Sequence, residues 1–526
     1  MMEPPDQVGA CNKRLVHNQF IKQKPNKMRK HIMHLLLWVL CCATAAAQNI
    51  SINPDSTVTT RHRTTIKGQS VSFTATTGTQ PVWDKNGKVI ASVFFTYYRR
   101  NDVADSLHRP FVMSFNGGPG AGALWMRLGY TGPHHVKVDD EGYPIQPYGI
   151  EDNPYSLLDV ADIVYIEPVN TGFSRAMNGT PEADFFGVYK DIKYLADWIT
   201  TFVTRHNRWA SPKYLVGESY GTTRVSGLSL ELQQRHWMYL NGVVLVSPTK
   251  LGIRRDGPVE GANMLPYFAA AAWYHKRLPN DLQQKDLTDV LPEVENFTIN
   301  ELIPALAKGG FLDEAKKNEM VSKVARYSGL SEKVVREHNL IVPPTFFWKE
   351  LLRDKGYTIG RLDSRYLGVD RSDAGERPDY APENTTWQHI FTPANAFYYT
   401  NYLNYHTDLE YYVAGNTRPW DREGENTEHT GEDLRQALAL NPFLHLLVQS
   451  GYYDGACDYF NAKYNMWQLD PSGKLRSRMD WKGYRSGHMM YLRHEDLIQA
   501  NEDLRNFIKN SIPKEDQAAK YQVSAN

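Results

Sequence analysis

The apolar positions of the chain fall into two rhythms. Between residues 71 and 98 apolar and polar residues alternate around Asn86-Gly87, which predicts a two-stranded β-hairpin closed by a tight turn. From residue 110 to 247 short apolar runs (FVMSFNGG, ADIVYIEP, KYLVGE and NGVVLVSP) alternate with stretches at helical spacing, one over 185–206 and one starting at Thr223. Such alternation predicts an α/β fold, a mostly parallel central sheet with helices on both faces. Chemistry in such sheets collects at the C-terminal ends of the strands.

After residue 258 the pattern turns helical and polar, with proline breaks; the clearest helices are expected over 266–275 and 302–327. A strand resumes at LHLLVQSGYYDG, and a helix over 494–512 ends the chain. Because the sheet pattern returns, the helical stretch reads as a cap inserted into one folding unit. The expected division is a leader and signal segment at 1–47, a first core part with the hairpin at 48–257, the cap at 258–431, and the remaining core at 432–526. Caps of this kind commonly gate access.

The stretch KYLVGESYGTTR joins a short apolar strand directly to a helix start. Within it, Gly217-Glu218-Ser219-Tyr220-Gly221 has the G-x-S-x-G pattern of the nucleophile elbow, which points to an α/β-hydrolase fold. With glycine near 7% of residues, roughly 0.1–0.2 such pentapeptides arise by chance in a chain this long. The strand before it and the apolar spacing of 225–232 after it are therefore what make Ser219 the candidate nucleophile. A serine nucleophile needs a base and an orienting acid, which follow it in the order Ser, Asp/Glu, His in this fold. Asp454 is expected at the end of the strand LHLLVQSGYYD, with Asp458 as the alternative. His488 lies in the Gly-flanked loop RSGHMMY, whereas His494 reads as a surface residue early in the last helix. Upstream, Asn116-Gly117-Gly118-Pro119-Gly120 follows a strand; its backbone N–H groups suit an oxyanion hole made by Gly118 and Tyr220.

The bulk composition narrows the class. The 526 residues carry 59 basic and 59 acidic side chains, which argues against a nucleic-acid or membrane-surface binder held by charge. Aromatic residues make up 12%, including 31 Tyr and 12 Trp, enough for a large core and a Tyr-rich cleft. Lys27, Arg29 and Lys30, the apolar run 32–42 and Ala45-Ala46-Ala47 form a secretory signal pattern, too short for a stable membrane anchor. Cys11, Cys41 and Cys42 lie in that leader, so only Cys457 remains after cleavage and no internal disulfide is expected. Acceptor patterns for N-glycosylation begin at Asn49, Asn178, Asn296 and Asn384.

The motifs NGGPG, IEPVNTGFS, RHNRWASPKYLVGESYG, GYYDGACD and SGHMM together resemble the serine carboxypeptidases, the group that includes carboxypeptidase Y and cathepsin A. The resemblance covers residues 110–251 and resumes at about 443. The hairpin and PYFAAAAWYHKRL look like the bacterial branch of the family. The resemblance implies an enzyme that hydrolyses the C-terminal peptide bond of peptide substrates without a metal or organic cofactor, and the signal pattern implies that it is exported, periplasmic or secreted. It implies Ser219, Asp454 and His488 as triad, Gly118 and Tyr220 as oxyanion donors, and Asn116, Gly117 and Glu218 as the group holding the substrate carboxylate. Glu218 donates to a carboxylate only when protonated, so its pKa must be raised.

Two departures bear on that transfer. The family pairs a second glutamate with the residue matching Glu218, and here the stretch reads WMRLGYTGP, with Arg127 and Leu128. An Arg127 in contact with Glu218 would keep it ionised; alternatively, Arg127 itself binds the substrate carboxylate. Ala121 and Gly122 replace a Cys-Ser of many relatives, so a family disulfide is absent there. An esterase or acyltransferase on the same fold, and a non-catalytic binding protein, are the rival readings.

Overall fold

Strand–helix alternation builds one mixed sheet in the computed structural model, which describes residues 52–514 and 517–521. The signal segment expected at 1–47, its three cysteines and the Asn49 pattern lie outside the described residues. The strands are β1 (Ser56–Ile66), β2 (Gln69–Trp83), β3 (Val89–Arg100), β4 (Phe111–Phe115), β5 (Asp162–Ile166), β6 (Lys213–Glu218), β7 (Gly242–Val246), β8 (His445–Gly451) and β9 (Met479–Tyr484). Their spatial order is β1-β2-β3-β5-β4-β6-β7-β8-β9, and a two-residue strand, Arg175–Ala176, pairs with β3. β1, β2, β3 and β5 are joined antiparallel. Every pairing from β5 to β9 is parallel. This is the α/β-hydrolase fold expected from the sequence.

The two-residue period of the strands sends alternate side chains into two core layers. Tyr214 and Val216 of β6 join Ile163, Val244, Val246 and Leu447 beneath the C-terminal helix. Leu215 faces the other way, among Met113, Val243 and Leu245. Each large aliphatic side chain so buried contributes about 1.5–3 kcal/mol. The opposite layer is covered by α1 (Val188–Arg205) and α2 (Tyr220–Arg235). α1 buries Ile192, Leu195 and Ile199, while α2 buries Val225, Leu228 and Leu232, both at the spacing of a one-faced helix.

β7 and β8 are neighbours in the sheet, and the chain between them is largely helical. It includes α3 (Leu265–Tyr274), α4 (Glu314–Ser328), α5 (Pro382–Phe397) and α6 (Thr430–Leu440). A short ribbon, Thr358–Ile359 paired with Leu367–Gly368, stands apart from the main sheet. After β8 come α7 (Tyr459–Leu469) and the last helix, α8 (His494–Ser511).

Three expectations need correction. The helix expected over 302–327 is broken: Ile303–Leu306 gives way to a turn at Gly309–Phe311, and α4 starts afresh. Gly309 takes φ 51°, a conformation that ends a helix. The Asp313 carboxylate then accepts the Lys316 N–H at 2.8 Å and caps the next helix. The hairpin has an additional partner in β1, whose STVTTRHRTTI is made mostly of threonine and basic residues and shows no apolar alternation. Finally, β8 ends at Gly451, so Asp454 stands on the loop beyond the strand and not at its end.

Candidate active site

Ser219 occupies the junction between β6 and α2 with φ 57° and ψ −127°, a backbone region that L-residues rarely adopt. Its N–H donates to Val246 O at 3.0 Å, which anchors it to the end of β7. Close packing explains the flanking glycines. A Cβ on Gly217 would lie 2.2 Å from Gly221 O, and one on Gly221 would lie 2.9 Å from Phe115 O. The turn closes only because both side chains are hydrogen.

His488 and Asp454 meet across two loops. The Asp454 carboxylate, fully buried, lies with Oδ2 2.6 Å from His488 Nδ1. Its Oδ1 accepts the N–H groups of Ala456 and Cys457 at 2.8 and 3.0 Å. A carboxylate at Nδ1 holds the imidazole proton there and leaves Nε2 as the acceptor. Burial works against the charged imidazole, but the Asp454 charge and hydrogen bond outweigh it and raise His488 above its ordinary pKa. The His488 carbonyl accepts Ser247 Oγ–H at 2.8 Å, just past the end of β7. Ser219 and His488 are thus both fastened to the end of one strand, β7. Among the described residues no hydrogen bond joins Ser219 Oγ to the imidazole; in substrate-free enzymes that contact is often long. Asp458, the alternative acid, instead caps α7 by accepting the Asn461 N–H at 2.8 Å. His494 is exposed at the start of α8.

Beside the elbow, Glu218 is buried at the end of β6. Asn116 Nδ2 donates to its Oε2, and the Tyr491 hydroxyl donates to its Oε1 at 2.7 Å. Asn116 is itself oriented, because its Oδ1 accepts the Met126 N–H at 3.1 Å. Burial pushes the Glu218 carboxyl up to about 7, against the pull of a charged His488 and of the two hydrogen bonds. Arg127 does not reach Glu218. It donates to Asn395 Oδ1 and lies over the rings of Tyr398 and Tyr399, at 4.9 and 4.5 Å. The partner of Glu218 is therefore Tyr491, which the sequence reading passed over although it stands three residues after His488.

The Gly-rich loop touches the elbow: a Cβ on Gly117 would lie 2.5 Å from Tyr220 N and 2.8 Å from Ser219 Cβ. Gly118 takes φ 102°, which turns its amide in a way a larger residue resists. Among the described residues neither the Gly118 nor the Tyr220 N–H donates to another backbone group.

Further buried polar groups hold this loop in place. Arg224 of α2 pairs with Asp191 at 2.6 Å and donates to Asn116 O at 2.7 Å. Glu167, from IEPVNTGFS, accepts the Ala123 N–H at 2.9 Å. At Ala121 and Gly122 backbone does the tying: Ala121 bridges to Ala414, and Gly122 N–H donates to Val413 O at 3.1 Å. Cys457 is a free, half-buried thiol. Its donor atom and those of Asp454 and His488 lie within 4.8 Å of one another, but the acid and the imidazole already bond to each other.

This arrangement of elbow, Gly-rich loop and buried glutamate coincides with a family match. Residues 66–292 fit the family model described as serine carboxypeptidase. Over that stretch this chain is similar to the serine carboxypeptidases. The match includes Asn116, Gly117, Gly118, Glu218, Ser219 and Tyr220, and ends before Asp454 and His488. Serine carboxypeptidase-like 36 of Arabidopsis thaliana is 28% identical over 166 residues, 30% of this chain and 32% of the relative. The lysosomal protective protein of Mus musculus is 29% identical over 200 residues, 36% of this chain and 37% of the relative. The chain thus spans about a third of the length of the curated relatives it matches. The crystal structure of a prohormone-processing carboxypeptidase from Saccharomyces cerevisiae aligns with TM-score 0.49 and 14% identity, covering 85% of this chain and 93% of that one. Among the described residues, no helix is long and apolar enough to cross a membrane.

Proposed function

We propose that this protein is an exported serine-type carboxypeptidase that removes the last residue of peptides with a free C-terminus. The observation that carries this reading is Glu218. A buried carboxyl raised to about 7, next to the candidate nucleophile and bonded to an amide, remains protonated in mild acid. In that state its O–H, the Asn116 amide and the Gly117 backbone suit a substrate carboxylate; an ester or amide end offers no charge to match.

Ser219 Oγ attacks the carbonyl carbon of the last peptide bond, and His488 Nε2 takes its proton. Asp454 holds the imidazole and stabilises the cation that forms. The oxyanion rests on the Gly118 and Tyr220 N–H groups at the positive end of α2. His488 then gives its proton to the departing amine, which leaves as the free amino acid. Water, deprotonated by His488, cleaves the acyl-serine ester and restores the enzyme. Export rests on the signal pattern before Gln48. Incubation with an N-blocked dipeptide tests the reading: the free C-terminal amino acid should appear one for one with substrate lost. Cleavage of blocked esters with the peptide left intact would favour the esterase.

A further inference from the structure

The loops carrying Asp454 and His488 are held by a third segment, residues 360–366, which connects the two strands of the Thr358–Ile359 and Leu367–Gly368 ribbon. On the histidine side, His488 N–H donates to Leu362 O at 2.7 Å and Gly487 N–H donates to the Asp363 carboxylate at 3.2 Å. On the acid side, Ser364 gives both its N–H and its hydroxyl to Tyr453 O, at 2.9 and 3.1 Å, and Gly455 N–H donates to Arg361 O at 2.9 Å. The residues immediately before and after Asp454, together with His488 and Gly487, are therefore tied to one seven-residue loop.

Asp363 is the hub of this loop. It is buried and receives the Arg365 N–H at 3.1 Å, Nε at 3.0 Å and Nη2 at 2.7 Å. Arg365 Nη2 also donates to Ser486 Oγ at 3.1 Å, and Nη1 donates to Glu141 at 3.1 Å. A Cβ on Gly487 would fall 2.4 Å from Asp363 Cβ, so backbone and side chain are already in contact there. A buried ion pair is costly to break from one side, because the remaining charge is left unpaired. Such a pair fixes one geometry rather than a range.

We propose that Asp363 is a positioning residue: with Arg365 it sets the distance between the Asp454 and His488 loops, and so the aim of the imidazole at Ser219. The proposal rests on the catalytic reading of His488 given above. Shifts of about 1 Å in such groups cost about a hundredfold in rate.

The test compares full-length wild type with Asp363→Asn, Asp363→Ala and Asp370→Asn. The last breaks another buried pair of the helical insertion, Lys349–Asp370 at 2.6 Å. The readouts are the rate of Ser219 labelling by a fluorophosphonate, kcat and KM on a blocked dipeptide, and the low-field proton resonance of the Asp454–His488 bond. Asp363→Asn keeps an acceptor for Gly487, so labelling should slow by about tenfold, and by more in Asp363→Ala. KM should hold within about twofold, since the carboxylate group near Glu218 is untouched. The resonance should shift in both variants, and Asp370→Asn should label like wild type. Wild-type labelling and an unmoved resonance in Asp363→Asn would overturn the proposal. So would equal slowing in Asp370→Asn. If wild type itself fails to label, the catalytic reading falls, and the resonance alone decides whether Asp363 holds the pair.

Discussion

The elbow around Ser219 and the Asp454–His488 pair are built by opposite means. The elbow is local: five consecutive residues, a strand end, a helix start, and two glycines whose missing side chains let the backbone close. The acid–base pair is assembled from loops 34 residues apart, held by a segment of the helical insertion some 90 to 120 residues upstream. On the proposed reading, the nucleophile is placed by contacts local to the elbow, while its base depends on a distant loop.

Variants break that comparison in a graded way. Ser219→Ala should lower kcat on a blocked dipeptide by roughly 10⁶-fold, with KM little changed, because it removes the covalent step itself. Asp454→Asn should lower kcat by about 10⁴-fold, since an amide no longer fixes the imidazole tautomer. A loss in Asp454→Asn below tenfold would show that the pair does not serve the serine.

The sequence disclosed these two regions unequally. Strands β2 to β8, their order and the elbow were legible because each is a short-range pattern of apolar spacing and glycine; β1 and β9, which lack a clean apolar alternation, were not. Asp454 and His488 were reachable through their order along the chain, although the strand ends before Asp454. Nothing in GRLDSRY marks residues 360–366 as a clamp: it has no periodicity, and its partners are remote in sequence. Tyr491 escaped because a tyrosine among 31 carries no signal until its hydroxyl is seen on Glu218. The break at Gly309-Gly310 was visible as two glycines, but apolar spacing on both sides masked it.

The carboxylate group at Glu218 gives the subtler predictions. Below pH 7 Glu218 is protonated and donates; above it the carboxylate repels the substrate terminus, so KM should rise on the alkaline side. On the acid side kcat should fall as His488 becomes charged, and its raised pKa places that loss above the ordinary histidine range. A charged His488 favours the ionised Glu218, and an ionised Glu218 favours the charged His488. Glu218→Gln donates at every pH and should flatten the alkaline rise in KM. It also removes a negative charge that raises His488, so the acid limb of kcat should move to lower pH. The smallest effect belongs to Tyr491→Phe. Its hydroxyl favours the ionised glutamate, and its loss should move the KM rise to higher pH while leaving kcat nearly unchanged. A shift to lower pH would mean that Tyr491 does not act through Glu218.

The most direct test of the account is the ratio of kcat/KM for a peptide with a free C-terminus to that for its C-terminally amidated twin, measured in mild acid and again above pH 8. The free peptide should be preferred by about a hundredfold or more in acid, with the preference shrinking as Glu218 ionises. Equal rates for the two peptides at both pH values would contradict it.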